Sequence, residues 1–352
     1  GFIEDTGKFP IRKCAFFCKF RKMASPEQSK PVKRRITQIA AILLVSALMM
    51  TGWTDSWADE GGISFWLPGQ DASLAAVPPN PGWSLSTGFY YYSGGTSGSS
   101  IFSRGETLYS GIDSRDLLLL VTPAYAPQTK ILGGQPSLSL GGGDGRNWAQ
   151  ADLSVSSLGN ELDRNDAVSG FTDLSPTAGL AWNRGVHNGM IYLTGNIPVG
   201  SYDSQRLANI GIGFWAVDVG GGYTYFNQQT GREFSAVVGA TYNFENTSTD
   251  YQNGIDSHLD WSISQVLSAA WEVGIAGYVY YQLTGDSGSG DSVGPFKSRV
   301  AAIGPQVGYT FKVGSQQWSA NVRGYCEFWA KNRYEGYALF ATLNIPLNSE
   351  EK

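Results

Sequence analysis

From Gly82 onward, oily and wet side chains alternate over unusually long stretches. In 82–92, Trp83, Leu85, Phe89 and Tyr91 fall on one parity, and Ser84, Ser86, Gly88, Tyr90 and Tyr92 on the other. Successive side chains of a strand point to opposite faces, so each such stretch predicts a strand with one apolar face. Twelve segments carry the pattern: 82–92, 116–126, 130–140, 170–182, 189–199, 213–226, 233–246, 254–266, 270–283, 297–311, 316–330 and 336–347. Ordinary globular strands run about 5–6 residues, whereas a membrane-crossing strand needs about 9–11. Aromatic rings begin or end the apolar faces (Trp83, Tyr91, Trp182, Trp271, Trp318, Tyr337), as at the two interfaces of a barrel wall. A soluble secreted β-sandwich also alternates, but has no reason to place rings at both ends of each apolar face.

Single-chain bacterial barrels use even strand numbers, with short periplasmic turns and longer outer loops. Every second spacer here is short, provided that the weaker segment 148–157 is a hairpin arm within an outer loop. The predicted fold is therefore all-β: a closed antiparallel transmembrane β-barrel of about twelve strands, fourteen being the alternative, over 82–347. Residues 348–352 form a periplasmic tail, and both barrel termini lie on the periplasmic side. Residues 59–81 do not alternate and are rich in Gly and Pro. Phe65 and Trp66 need apolar partners, which makes 59–81 an N-terminal plug in the lumen or a periplasmic segment.

One apolar run, Ile36–Met50, precedes all this. It is too short for a spanning helix and suits the core of a secretory leader, after Lys33, Arg34 and Arg35 and before Ser56 and Ala58. The expected division is an upstream extension at 1–22, a signal peptide at 23–58, and an exported chain suited to an outer-membrane barrel. Beyond Ala58 the chain holds 15 Lys and Arg against 26 Asp and Glu, which argues against nucleic acid as a partner. One cysteine, Cys326, remains there, so no disulfide framework is expected.

Candidate chemistry is sparse. "GDSGSGD" at 285–291 resembles a serine-protease stretch, but Ser287 needs a base and its composition is that of a loop. In "GIDSHLDW", strand parity puts Asp256, His258 and Asp260 on one face, and the preceding segment contributes Asn243 and Glu245. Together they form a candidate polar constriction in the outer half of the lumen. Arg323, Glu327, Asp173 and Asp218 also face inward, where opposite charges are expected to pair across the pore. Ser257 points away from His258, so no nucleophile–base pair arises. No enzyme activity, metal or cofactor is expected.

The stretches "EGGISFWLPGQDASLAAVPPNPGWSLSTGFYYYSG" (60–94), "GFTDLSPTAGLAWNRGVHN" (170–188), "TGNIPVGSYDSQRLANIGIG" (194–213) and "GGGYTYFNQQTGREFSAVVGATYNFEN" (220–246) resemble the phenol MetA-pathway degradation proteins, or SphA-type outer-membrane transporters. So does the region from "YQNGIDSHLDWS" to "YQLTGDSGSGD" (251–291). The resemblance implies a Gram-negative outer-membrane channel for small aromatic or hydrophobic compounds. Its partners would be outer-membrane lipid, such a solute and the barrel-assembly machinery. Inward Tyr90, Tyr92, Tyr278, Tyr280 and Tyr325 agree, since tyrosine offers an apolar ring with a polar tip. The rival reading is a structural or adhesive barrel acting through its outer loops.

Overall fold

The computed structural model describes residues 63–96, 101–104, 107–156, 161–291 and 297–347. The upstream extension, the signal peptide and the 348–352 tail lie outside the described residues. Fourteen strands form one antiparallel sheet: β1 (Gly82–Gly95), β2 (Ile101–Arg104), β3 (Thr107–Ala126), β4 (Gln135–Ser156), β5 (Glu161–Phe171), β6 (Ser175–Arg184), β7 (His187–Asn196), β8 (Ala216–Asn227), β9 (Arg232–Asn243), β10 (Asp256–Val266), β11 (Trp271–Gln282), β12 (Arg299–Val313), β13 (Gln316–Lys331) and β14 (Glu335–Pro346). Pairing of β1 with β14, from Ser84 opposite Pro346 to Gly95 opposite Glu335, closes the sheet. Among the described residues, twelve of these strands make the ring. The other two, β2 and β5, pair only with the outer parts of β3 and β4.

Closure matters because hydrocarbon offers no partner to an unpaired N–H or C=O; a ring has no open edge. The oily parity faces out: Leu119, Leu138, Ile191, Val219, Val238 and Ile263 are all exposed. Rings bound this belt. Trp83 packs on Tyr125 (5.0 Å) and Trp271 on Tyr309 (4.5 Å) at the short-turn end; Tyr91 meets Tyr337 (6.0 Å) and Tyr242 meets Phe244 (5.0 Å) at the other. Residues 148–156 form the expected hairpin arm, continuous with the rest of β4 through 141–147. β5 and β6 are two halves of one descending strand, pairing in turn with the outer and inner parts of β4 and interrupted at Thr172–Leu174.

Candidate functional site

Residues 63–81 descend through the lumen from its outer end to the start of β1. Ser64 accepts from Arg333 (3.0 Å) in the β13–β14 loop, while farther along Ala76 N donates to Thr224 (3.0 Å) near the periplasmic end of β8. Leu67-Pro68-Gly69-Gln70 is a tight turn closed by Gln70 N to Leu67 O (3.1 Å), with Gly69 at φ 82°. Proline before glycine suits a type II turn, whose third position requires positive φ. The wall grips this turn by its backbone. Gly69 N donates to Asp260 Oδ1 (2.9 Å) and Asp71 N to Asp260 Oδ2 (3.2 Å). Gly69 O accepts from Arg323 Nε (3.0 Å) and Tyr325 OH (3.1 Å), and Gln70 O from Arg323 Nη2 (2.5 Å). Lower down, Leu74 N donates to Glu233 (3.1 Å), and Gln306 donates to Ser73 Oγ (2.6 Å).

One level above the turn, the Trp66 indole lies flat on the His258 ring, with centroids 3.5 Å apart and planes 13° apart. His258 Nε2 faces Asp218 (3.1 Å) and Tyr192 OH (3.3 Å), and Asp218 also accepts from Tyr192 (2.8 Å) and Thr241 (2.6 Å). The arrangement depends on Gly239, opposite His258 in the register: a Cβ there would lie 2.3 Å from Tyr192 OH and 2.5 Å from His258 Nε2. Asn243 donates to Asp256 (2.7 Å) just above. Burial raises the pKa of the Asp71 carboxyl, a rise that nearby Arg323 opposes.

Several expected positions need correction. Glu245 does not join the buried cluster: β9 ends at Asn243, and Glu245 lies beyond it, solvent-exposed. Arg323 and Glu327 do not pair with opposite charges across the pore. Arg323 is committed to the plug carbonyls and lies over the Phe340 ring (4.7 Å), while Glu327 accepts from Tyr92 OH (2.8 Å), Tyr278 OH (2.7 Å) and Gly336 N (2.8 Å). Asp173 sits in the β5–β6 interruption and accepts from Gly200 N (2.8 Å), Ile212 N (2.9 Å) and Asn196 (3.0 Å), fastening the β7–β8 loop. Asp286, in the protease-like stretch, likewise binds Tyr251 OH (2.6 Å), Gly254 N (2.8 Å) and Gln282 (2.5 Å), so this stretch joins two outer loops. Ser257 donates to Tyr281 O (2.8 Å), away from His258. Phe65 is half-buried and Trp66 buried.

The lumen thus has two unlike halves. β8–β10 present Thr224, Ser235, Thr241, Asp218, His258 and Asp260, beside a small apolar cluster of Tyr192 and Val237 around Trp66. β1 and β11–β14 present Tyr90, Tyr92, Tyr278, Tyr280, Tyr325 and Phe340, which belong to one buried apolar cluster with Leu207 and Ala208 of the β7–β8 loop; Ile63 and Leu67 of the plug pack against it.

Residues 93–343 match the family described as the MetA-pathway of phenol degradation. The chain belongs to this family. No curated protein sequence matches it. Among solved structures, an outer membrane channel from Pseudomonas putida F1 overlays with a TM-score of 0.60 at 14% identity, covering 77% of this chain and 98% of that one. The translocator domain of the autotransporter NalP from Neisseria meningitidis gives 0.43 at 11% identity, covering 77% and 91%. A Pseudomonas aeruginosa FadL homologue gives 0.41 at 8%, covering 83% and 97%. The first overlay agrees with the closed ring seen here, and this family member folds as a closed antiparallel β-barrel. The matched span begins within β1, so it speaks for the wall and not for the plug. Glu233, Tyr192, Gln306 and Ser264 were missed as lumen residues. Strand parity carries them all, since Glu233 shares the parity of Asn243 and Ser264 that of Asp260.

Proposed function

We propose that this barrel is a passive outer-membrane channel for small hydrophobic or aromatic solutes, gated by the 63–81 segment. The observation that carries the reading is the one-sided apolar lining. The ring cluster of β1 and β11–β14 already holds apolar side chains of the plug, Ile63 and Leu67, against it. A solute of similar surface could take their place, at a gain of about 25 cal/mol per Å² of apolar area buried. The bonds to Asp260, Arg323 and Glu233 supply reversible closure: they hold a segment outside the ring, so the plug can leave without opening the sheet.

Uptake into proteoliposomes tests this. A small phenol should enter faster than a sugar of similar size, and removing 63–77 should abolish the difference by opening a general pore. Equal rates for phenol and sugar through the intact protein would refute the selectivity.

A further inference from the structure

Gly69 is held as a ligand is held. Its N–H and C=O meet three side chains buried in the lumen: Asp260 on one side, Arg323 and Tyr325 on the other. It also fills a slot between two rings, because a Cβ at Gly69 would lie 2.8 Å from both Tyr278 Cδ1 and Tyr325 Cε2. We propose that this clamp is the recognition site for the polar head of the transported solute, with the plug's turn as its stand-in; the inference rests on the channel reading above. The ligand class follows from the contacts. A donor must face Asp260, an adjacent acceptor must face Arg323 and Tyr325, and the head must be flat enough for the slot. The body must be apolar, to lie along the ring cluster beside Leu67. An anion would be repelled by Asp260 and a cation by Arg323, so the head is uncharged. A primary carboxamide on an aromatic or alkyl body meets every condition.

The clamp also couples binding to opening. Departure of the turn takes from Asp260 its two backbone donors and from Arg323 Nε and Nη2 their carbonyl acceptors, leaving Arg323 its bond to Asn321 (3.2 Å), which is costly for buried ions. A head that restores both sets of bonds removes this cost, whereas a purely apolar solute does not.

The test is hydrogen–deuterium exchange on the full chain in proteoliposomes, paired with permeation, using 4-butylbenzamide and N,N-dimethyl-4-butylbenzamide. The two share a body and a carbonyl and differ in the donor. The primary amide is expected to speed exchange at residues 63–77 at least tenfold at concentrations where the dimethyl compound has no effect, and to permeate faster. Asp260→Asn should narrow that gap while the barrel remains resistant to SDS unfolding. Equal action of the two compounds would overturn the clamp assignment and leave the channel reading intact, as would permeation of both with unchanged plug exchange. Permeation of neither would remove the channel reading and this inference with it.

Discussion

Substituting Gly69 by alanine isolates the plug from the wall. The residue lies at φ 82°, where an L side chain costs about 1–2 kcal/mol. The new Cβ would also press on Tyr278 and Tyr325 at 2.8 Å, and overpacking of this kind costs about 1–3 kcal/mol. Both penalties fall on the docked state alone, since an undocked segment can relax. Together they come to about 2–5 kcal/mol, and a middle value of about 3.5 kcal/mol corresponds to a roughly 300-fold loss of docked over undocked plug. Exchange protection of the Gln70, Leu74 and Ala76 amides should fall by about that factor, and single-channel conductance in planar bilayers should rise. The ring makes no use of Gly69, so heat-modifiable migration on SDS gels should not change. Gly185→Ala is the control: its φ of 67° carries the same backbone strain, but no atom lies within 4 Å of its Cβ, and it sits in the β6–β7 turn. Wild-type conductance and wild-type exchange in Gly69→Ala would refute the claim that this turn fixes the plug.

Three further outcomes follow from the same contacts. Asp71 has its pKa raised in the docked plug, so docking is favoured at low pH and loses that contribution as pH rises through the raised value; conductance should increase with pH above the ordinary carboxylate range, and Asp71→Asn should flatten the dependence. Asp173→Ala strands Gly200 N and Ile212 N, at about 1–3 kcal/mol for each lost buried partner, so protease added to intact cells should cleave 197–212 faster while the barrel core persists. Gly239→Ala would push into Tyr192 and His258 and separate the Trp66 stack, at about 1–3 kcal/mol; exchange in 63–69 should rise with little change in 74–77.

The wall was legible because it is written in a period of two. Trp83, Leu85, Phe89 and Tyr91 face lipid, and Tyr90 and Tyr92 face the lumen, as parity requires. Parity fails where strands end. Glu245 continues the sequence pattern of Asn243, but β9 stops before it and leaves it exposed. It also fails where a strand breaks: nothing local in "GFTDLSP" announces that Asp173 will fasten a loop beginning more than twenty residues later. Arg323 and Glu327 were legible as inward and illegible as to partner. Pairing of opposite charges was a reasonable expectation for an empty pore, but this pore holds a segment with its own N–H and C=O groups to satisfy. Those groups outcompete a distant carboxylate for Arg323, since Gly69 O and Gln70 O lie at hydrogen-bond range.

This competition explains why the polar half bears so much charge. An extended segment within a barrel brings backbone donors and acceptors that no strand ladder satisfies. Here Gly69, Asp71, Leu74 and Ala76 donate to wall side chains, and three of the four reach a carboxylate. Bonds to charged groups are stronger than neutral ones, so Asp260 and Glu233 hold the plug more firmly than serines would. The same carboxylates are poorly placed once the plug leaves, with Arg323 the cation that meets the plug at that level. The open lumen therefore needs water or a suitable head group there, and it presents an acidic wall. A plug-deleted barrel should accordingly prefer cations, with a reversal potential under a salt gradient shifted toward the cation value. Asp260→Asn combined with Glu233→Gln should move it back toward zero. An anion-selective plug-deleted barrel would contradict the account of why these acids line the wall.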